Sequence, residues 1–471
     1  MAAQVVRGKL AALLLGPAGV GVFNQLTLAW NIANVAGGLG TFNGIVQHGA
    51  DALASGEKEA LRRLSSTFTL LLGAVSLVIA LAGVLSAAPL SHWLLHDEGA
   101  HAHLVALLML GVPVGVTAQT WRALLSAGRA VSQLVRAQIA SDLGGAVVFV
   151  ALLFHFGLEG AVIGFMASHL ILFLVQSLYI RRLFGPGHLI PRASGFSWRI
   201  VRANAGFGAT GLLLIVLNNL AIIMVSRLVI DRLGPEANGY FANAWRLASV
   251  YLGAVTSTTI AYFLPTLARA EDDRAMAVEV NATLRFFLTL LPPVMTGIMA
   301  AGGLVVWLIL SRAFAPVAVL LLVFVPAELG RIVADTILTQ FLARRRLRPF
   351  ALTYLVQFGL FISLSFALVP LLGVMGAALA YGAAMIVSMA LALIAARASF
   401  SFRPEKRTLR AALIAALLLG ATGAVCTHVA EGLLRYGLCL GAIGLWAALA
   451  WRDPEARALA QGALRRVRPS R

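Results

Sequence analysis

Basic side chains within or beside apolar segments are the residues of this 471-residue chain best suited to bind a ligand. Arg7 and Lys9 lie in the apolar N-terminal segment, and Arg246 lies within a long apolar run. A charge at membrane depth costs about 2.5–3.5 kcal/mol, so it normally faces a cavity or a partner. Because guanidinium binds phosphate oxygens in a bidentate manner, the three residues predict a cationic site for a phosphate or diphosphate. Snorkelling to the membrane surface, or pairing with a carboxylate such as Glu236, is the alternative interpretation.

Asparagines and glycines crowd the predicted span 20–46, which makes it unusually polar for an apolar run. Glycines allow neighbouring helices to approach closely, and the same stretch could bend. The asparagines predict hydrogen bonds to sugar hydroxyls in a hydrated cavity. The predicted sugar-binding residues are Asn24, Asn31, Asn34 and Asn43.

A second charged constellation lies in the predicted span 314–341 and consists of Glu328, Arg331 and Asp335. Spacings of three and four residues place all three on one helical face. They can therefore neutralise one another inside a helix bundle as a salt-bridge stripe. A site that couples transport to a cation or a proton is the alternative.

No pattern in the chain indicates catalysis, and we expect no catalytic residue, no cofactor and no metal. His92 and His96 have the i, i+4 spacing of a chelating pair, but a solvated loop explains them better. Cys426 and Cys439 have neither metal-ligand nor disulfide-framework spacing. The chain has no glycine-rich phosphate loop followed by Lys-Ser/Thr, which argues against ATP hydrolysis.

The composition is that of an all-α, polytopic membrane protein, with 60% hydrophobic and only 12% charged residues. The formal charge of +18 comes from 37 basic and 19 acidic residues. Most of the basic residues fall in short links between apolar runs, where they fix orientation, so we expect membrane lipids and no nucleic acid as partners.

Thirteen complete apolar runs and one fragment, Val5–Gly16, predict about 13–14 spans. The runs at 135–156 and 159–180 are predicted to join at a tight turn around Gly157, and a second such turn is predicted around Gly373. Basic links alternate with links that contain almost no Lys or Arg, which places the basic links and the C-terminus in the cytoplasm. This orientation makes Val5–Gly16 the outer half of a truncated first span, so we expect the chain to start about ten to fifteen residues late.

Two short sequences recur and indicate an internal duplication. Gly16–Phe23 and Gly234–Phe241 share the pattern GPxxxGxF at an offset of 218 residues, and Gly157–Ala161 returns as Gly373–Ala377 at an offset of 216. Six spans in each copy predict two six-helix lobes in parallel repeat, followed by two C-terminal helices. The predicted domains are an N-terminal lobe at 1–180, a cytoplasmic linker at 181–202, a C-terminal lobe at 203–397, two further helices at 398–451 and a basic tail at 452–471.

Leu13–Leu26 (LLLGPAGVGVFNQL) and Gly44–Leu53 (GIVQHGADAL) resemble the polysaccharide-export branch of the MOP exporter superfamily. This branch contains the O-antigen and enterobacterial common antigen flippases. The related lipid II flippases have an arginine nine residues before the first-span glycine, as Arg7 stands before Gly16, and a second-lobe pattern that matches Arg246-Leu247. The resemblance implies that Arg7 and Arg246 face a lipid diphosphate. The lipid II flippases carry further arginines where span 20–46 has only Asn and Gln, so a glycan other than lipid II is favoured.

The resemblance implies a flippase that moves an undecaprenyl-diphosphate-linked oligosaccharide from the cytoplasmic to the periplasmic face of the bacterial inner membrane. Such a cargo would serve polysaccharide biosynthesis, including lipopolysaccharide, and other glycan assembly enzymes of that membrane are candidate partners. A multidrug or cation antiporter of the same fold is the alternative. A membrane glycan polymerase or ligase is disfavoured, because the longest outer link, Pro89–His103, has only about fifteen residues.

Overall fold

The structure of the protein is a computed structural model, and it describes the backbone of residues 2–188 and 191–450. Of these, the side chains at 2, 58, 193, 203–211, 213–214, 250–262, 265 and 450 are outside the description, as is the tail predicted at 452–471. The helices in chain order are α1 (Ala2–Leu14), α2 (Gly16–Gly37), α3 (Phe42–Ala54), α4 (Lys58–Leu85), α5 (Ala87–Leu95), α6 (Ala102–Leu110), α7 (Val112–Ala127), α8 (Val131–Phe184), α9 (Trp198–Leu233), α10 (Pro235–Arg269), α11 (Asp273–Ala300), α12 (Gly302–Ile309), α13 (Pro316–Ala343), α14 (Leu347–Leu372), α15 (Val374–Phe400), α16 (Lys406–His428) and α17 (Leu433–Ala450). The all-α class is confirmed.

Eight helical segments among the described residues are long and apolar enough to cross a membrane, with mean hydropathy between 1.4 and 2.5. They include the 54-residue helix α8, whose length would cross a bilayer twice. The protein is therefore a multi-pass membrane protein, as predicted. The total of 13–14 spans and their grouping into lobes remain predictions.

Helix α8 folds back on itself at Gly157, whose φ of 54° and ψ of −126° are open only to glycine. A Cβ built at Gly164 would touch the backbone of Phe149, and one built at Gly145 would touch Ser168, so the two arms run antiparallel in close contact. This fold-back agrees with the predicted pair of runs at 135–156 and 159–180.

The repeat of the Gly157–Ala161 sequence, Gly373–Ala377, has the same turn geometry. Gly373, which follows Gly157 by 216 residues, has a φ of 61° and a ψ of −145° between α14 and α15. A Cβ at Gly160 would clash with the carbonyl group of Leu152, and one at Gly376 would clash with that of Leu368. Equivalent residues thus form both turns, which supports the duplication.

The predicted span 20–46 is two helices rather than one. Helix α2 ends at Gly37, the segment Gly38–Thr41 forms a turn, and α3 begins at Phe42. Leu39 adopts a φ of 48° and Gly40 a φ of 64° within the turn. The glycines therefore interrupt the helix, and Asn43 lies on α3, separate from the three asparagines of α2.

The first compact unit contains Met1–Gly239 together with Ile309–Ala313. Its core packs around Leu26, Phe68 and Trp121, all nearly inaccessible to solvent. Helix α9 belongs to this unit, because it packs against α2 and α5, and the buried Gln25 side chain donates to the carbonyl oxygens of Ile223 and Leu94.

The linker after α8 in the first unit is held by three successive hydroxyl side chains of α4. Ser65 donates to the carbonyl oxygen of His188 at 3.2 Å, Ser66 accepts from the backbone N–H of Arg192, and Thr67 donates to the carbonyl oxygen of Gly195. Burial and the charge of the neighbouring Arg62 lower the pKa of His188, so its ring is neutral at neutral pH.

The second compact unit contains Tyr240–Leu308 and the chain from Phe314 onward. Helix α15 packs against α13 and α14, and α11 packs against α16. The core of this unit includes Phe241, Phe324 and Phe341.

The first six residues of each GPxxxGxF copy, Gly16–Gly21 and Gly234–Gly239, meet one another inside the first unit. Gly16 and Gly234 both have positive φ, and in each copy a proline follows at the start of a helix. A Cβ built at Gly21 would lie 2.9 Å from the backbone nitrogen of Gly239, and one built at Gly239 would lie 2.8 Å from the carbonyl carbon of Pro17. Asn238 reinforces this crossing by donating to the carbonyl oxygen of Gly21 at 3.1 Å.

Candidate functional site

Arg7 lies half-buried on α1 and points at the second arm of α8. Its Nη1 donates to the Ser168 hydroxyl at 2.9 Å, and its Cζ atom lies 5.8 Å from the centre of the Phe149 ring. Ser168 is fixed in turn, because its carbonyl oxygen accepts from Ser141 at 2.8 Å. These contacts hold a guanidinium, a group that binds anions, against the apolar helix α8.

His169 follows Ser168 directly in α8, and its imidazole lies within electrostatic range of Arg7. The His169 ring centre is 4.3 Å from that of Trp30 and 4.6 Å from that of Phe165. Its Nδ1 lies 3.0 Å from the carbonyl oxygen of Phe165. The histidine thus has a fixed orientation between two aromatic rings, on the same helix that anchors Arg7.

The other two predicted cations occupy different surroundings. Lys9 is half-buried on α1, two residues after Arg7. Arg246 belongs to the second unit, where it lies on an exposed face of α10 while Leu247 and Ala248 beside it are buried.

The four predicted sugar-binding asparagines differ in exposure. Asn31 and Asn43 are exposed, and Asn24 is half-buried. Asn34 is only 2% exposed, and its Oδ1 accepts from Gln119 on α7 at 2.6 Å. The contact between Asn34 and α7 favours a packing contribution for this residue, while Asn24 and Asn31 remain the accessible asparagines of α2.

Glu328, Arg331 and Asp335 form one ion-pair network on α13. The Arg331 Nη2 atom lies 2.6 Å from Glu328 Oε2, and its Nη1 lies 3.0 Å from Asp335 Oδ2. The hydroxyl of Tyr381 donates to Glu328, and that of Tyr354 donates to Asp335 at 2.7 Å. Two carboxylates and one guanidinium leave a formal charge of −1 in an apolar bundle, where Glu328 is fully buried.

The link between α5 and α6 is organised around Asp97. Burial opposes ionisation of this carboxyl group, but hydrogen bonds from His101, Ser91 and two backbone N–H groups outweigh burial and hold its pKa below the usual range. His92 Nδ1 contacts the backbone oxygen of Asp97, whereas His96 pairs with Asp231 at 3.4 Å. The two histidines therefore have different partners, and no group of three or more potential metal ligands occurs among the described side chains.

Sequence reasoning missed the neutral partners of both charged sites. Ser168 contacts Arg7 from another helix, and Tyr354 and Tyr381 likewise contact the α13 network from other helices. The only sequence signal for these partners is that they are polar side chains within otherwise apolar runs, and this signal is weak.

The chain matches the sequence profile of a family of polysaccharide biosynthesis proteins over residues 10–319. It is 27% identical over 394 residues to the lipid III flippases of Escherichia coli (strain K12) and Shigella flexneri, a match that covers 83% of this chain and 92% of each relative. Among solved structures it is similar to the lipid II flippase MurJ in an inward closed conformation, with a TM-score of 0.75 and 13% identity over 96% of both chains. An inward-facing multidrug transporter of the MATE family, from the MOP superfamily, gives a TM-score of 0.73 and 14% identity over 85% of this chain and 94% of that one.

These similarities define a class of protein. The fold is that of the MOP exporters, and the chain belongs to the polysaccharide biosynthesis protein family, its polysaccharide-export branch. The membership expected from Leu13–Leu26 and Gly44–Leu53 is thereby confirmed. The proteins it resembles are flippases and transporters rather than enzymes.

Proposed function

We propose that the protein is a flippase that moves an undecaprenyl-diphosphate-linked oligosaccharide from the cytoplasmic to the periplasmic face of the inner membrane. The observation that carries this proposal is the guanidinium of Arg7, fixed by Ser168 between apolar helices. The relationship to lipid III flippases over most of their length supports a lipid-linked cargo.

In this proposal Arg7, Lys9 and Arg246 bind the diphosphate, because cations at membrane depth stabilise a charge that lipid excludes. The sugars contact Asn24 and Asn31, with Asn34 and Asn43 as further contacts, while the prenyl chain remains in the lipid. Alternating access of the cavity completes the transfer.

The membrane potential supplies a driving force without ATP. Moving one negative charge outward across a membrane whose potential is negative inside releases about 2.3 kcal/mol per 100 mV. A diphosphate with two charges would therefore release roughly 4–5 kcal/mol at 100 mV.

The network of Glu328, Arg331 and Asp335 is the proposed coupling site for a proton or another cation. Its formal charge of −1 in a buried setting would be neutralised by one added cation or proton. A purely structural salt bridge is the alternative, and the two are distinguished by whether transport in Glu328→Gln still responds to a proton gradient.

The cargo is proposed to be an O-antigen or enterobacterial common antigen intermediate, with the C-terminus of the protein in the cytoplasm. The similarity to lipid III flippases, together with the absence of arginine from α2, supports a glycan other than lipid II. Other glycan assembly enzymes of the inner membrane are the proposed protein partners.

A multidrug or cation antiporter shares the fold, as the MATE structure illustrates. The family match and the flippase relatives favour the lipid-linked cargo. No structural observation specifically favours a glycan polymerase or ligase.

Complementation tests the proposal. The chain is expressed in a strain that lacks its own O-antigen or common-antigen flippase, and surface glycan is quantified. We expect restored glycan, a loss of about tenfold or more in Arg7→Ala, because a hydrogen bond to a charged group is worth about 1.5–3 kcal/mol, and partial activity in Arg7→Lys.

The matched control is Arg63→Ala, which removes an exposed arginine paired with Glu59 on the first turns of α4. Full activity of Arg7→Ala, or the absence of rescue by protein shown to be inserted in the membrane, contradicts the proposal. Drug resistance without glycan rescue would favour the antiporter.

A further inference from the structure

His169 has the geometry of a fixed hydrogen-bond acceptor. A carbonyl oxygen only accepts, so the contact between His169 Nδ1 and the Phe165 oxygen at 3.0 Å requires the proton to be on Nδ1. In the neutral ring the lone pair is then on Nε2. The rings of Trp30 and Phe165 prevent the imidazole from turning away.

Nε2 of His169 has no hydrogen-bond partner among the described residues, and it is not among the side-chain atoms that are buried without a partner. The same atom of His48 on α3 is buried without a partner, which shows the contrast. The His169 residue is half-buried, so part of its side chain is accessible.

The position of this acceptor relates it to the anion site. Ser168 binds Arg7 and directly precedes His169 on the same helical arm, and the charge of Arg7 acts on the imidazole. In a lipid-linked glycan, the group attached to the diphosphate is a sugar ring whose hydroxyls can donate a hydrogen bond.

We propose that His169 is a specificity-determining residue, whose Nε2 accepts a hydrogen bond from a hydroxyl of the sugar attached directly to the diphosphate. This inference rests on the proposed function. In this proposal, His169 distinguishes a glycosylated lipid from the bare undecaprenyl diphosphate, which would otherwise compete for Arg7.

The His169→Phe variant separates hydrogen bonding from packing, because phenylalanine keeps a ring against Trp30 and Phe165 but has no acceptor. His169→Gln keeps an acceptor oxygen and should recover part of the effect. His155→Phe is the matched control, since His155 is an exposed histidine on the first arm of α8.

Binding is measured with the full chain in lipid nanodiscs, using two probes: undecaprenyl diphosphate, and undecaprenyl diphosphate carrying one N-acetylglucosamine. We expect the wild type to bind the glycosylated probe more tightly. His169→Phe should reduce that preference by about two- to tenfold, the value of one neutral hydrogen bond, and leave the bare lipid unaffected. Arg7→Ala should weaken the binding of both probes.

The inference is overturned, and the proposed function stands, if the wild type binds both probes equally or if His169→Phe keeps the full preference. Folded wild-type protein that binds neither probe overturns both proposals. A preference that is lost in His155→Phe as well as in His169→Phe shows a general effect of the substitution and overturns the assignment to His169.

Discussion

The crossing of Gly21 and Gly239 predicts a large and reciprocal cost of adding single methyl groups. Each glycine faces the backbone of the other copy of GPxxxGxF, so neither site has a flexible side chain that can move aside. We therefore expect Gly21→Ala and Gly239→Ala each to destabilise the protein, although alanine is the better helix former by about 1 kcal/mol.

The magnitude follows from the distances. A Cβ at Gly21 would lie 2.9 Å from Gly239 N and 3.2 Å from the carbonyl carbon of Pro235, whereas carbon contacts are most favourable at about 3.5–4.0 Å. The two helices would have to separate by roughly 0.6 Å or more, and overpacking of this kind costs about 1–3 kcal/mol. A separation of the two backbones that accommodates one added methyl group also makes room for the other. The double variant should therefore lose less free energy of unfolding than the sum of the losses in the single variants.

The measurement is the free energy of unfolding in mixed detergent micelles, followed by helical signal. Gly73→Ala is the matched control, because a Cβ at this position on α4 has no neighbour within 4 Å. It should be neutral or stabilise the protein by up to about 1 kcal/mol. The reasoning is refuted if Gly21→Ala is as stable as Gly73→Ala, or if the two crossing variants add their full costs.

Three further predictions concern charged groups. Arg331→Met should destabilise the second unit by about 3–5 kcal/mol, because it leaves the carboxylates of Glu328 and Asp335 without their cation, and adding Glu328→Gln should recover part of that loss; equal or greater loss in the double variant contradicts this. His188 has a lowered pKa in the folded protein, so its contribution to stability is present above pH 6.5 and is lost as the pH falls towards the pKa of the folded state. The melting temperature of the wild type should therefore be lower at pH 5.5 than at pH 8. The His188→Asn variant should not show this decline. Glu431 accepts from the backbone N–H groups of Gly303 and Leu304 at 2.9 and 3.0 Å, so Glu431→Ala should cost about 0.5–2 kcal/mol in thermal unfolding, whereas Glu431→Gln, which keeps one acceptor, should cost less.

Turns were the part of the fold most readily predicted from the sequence. The fold-backs at Gly157 and Gly373 need backbone angles that only glycine adopts easily, so the conformation is visible in the residue type itself. The glycines of 37–40 were harder to interpret, because glycine serves both close packing and helix ends. The structure shows both uses, since Gly37 packs against Val116 and Ser76 while Gly38 and Gly40 lie in the turn.

The candidate sites could be predicted only in part, because sequence spacing places residues on a helix but not the helix against its neighbours. Glu328, Arg331 and Asp335 share one helix, so their spacing was sufficient to predict their proximity. Ser168 contacts Arg7 across 161 positions of the chain, and nothing local to either residue indicates the pairing. Such contacts depend on the rotation of each apolar helix about its axis, which a nearly uniform apolar pattern leaves open.

The two proposed sites bind groups of opposite charge, and this difference suits two steps of one transport cycle. Arg7 supplies a guanidinium that contacts the Ser168 hydroxyl and the Phe149 ring, whereas the two carboxylates that hold Arg331 exceed its charge by one. In a medium of low dielectric constant, an anionic cargo is attracted to the Arg7 guanidinium and repelled by the surplus negative charge of the α13 network, and a coupling cation has the opposite preference. If the proposed function holds, cargo and coupling ion therefore need not compete for one site. Reversing the charge at Arg7 should then abolish cargo binding without removing the proton response of the α13 network.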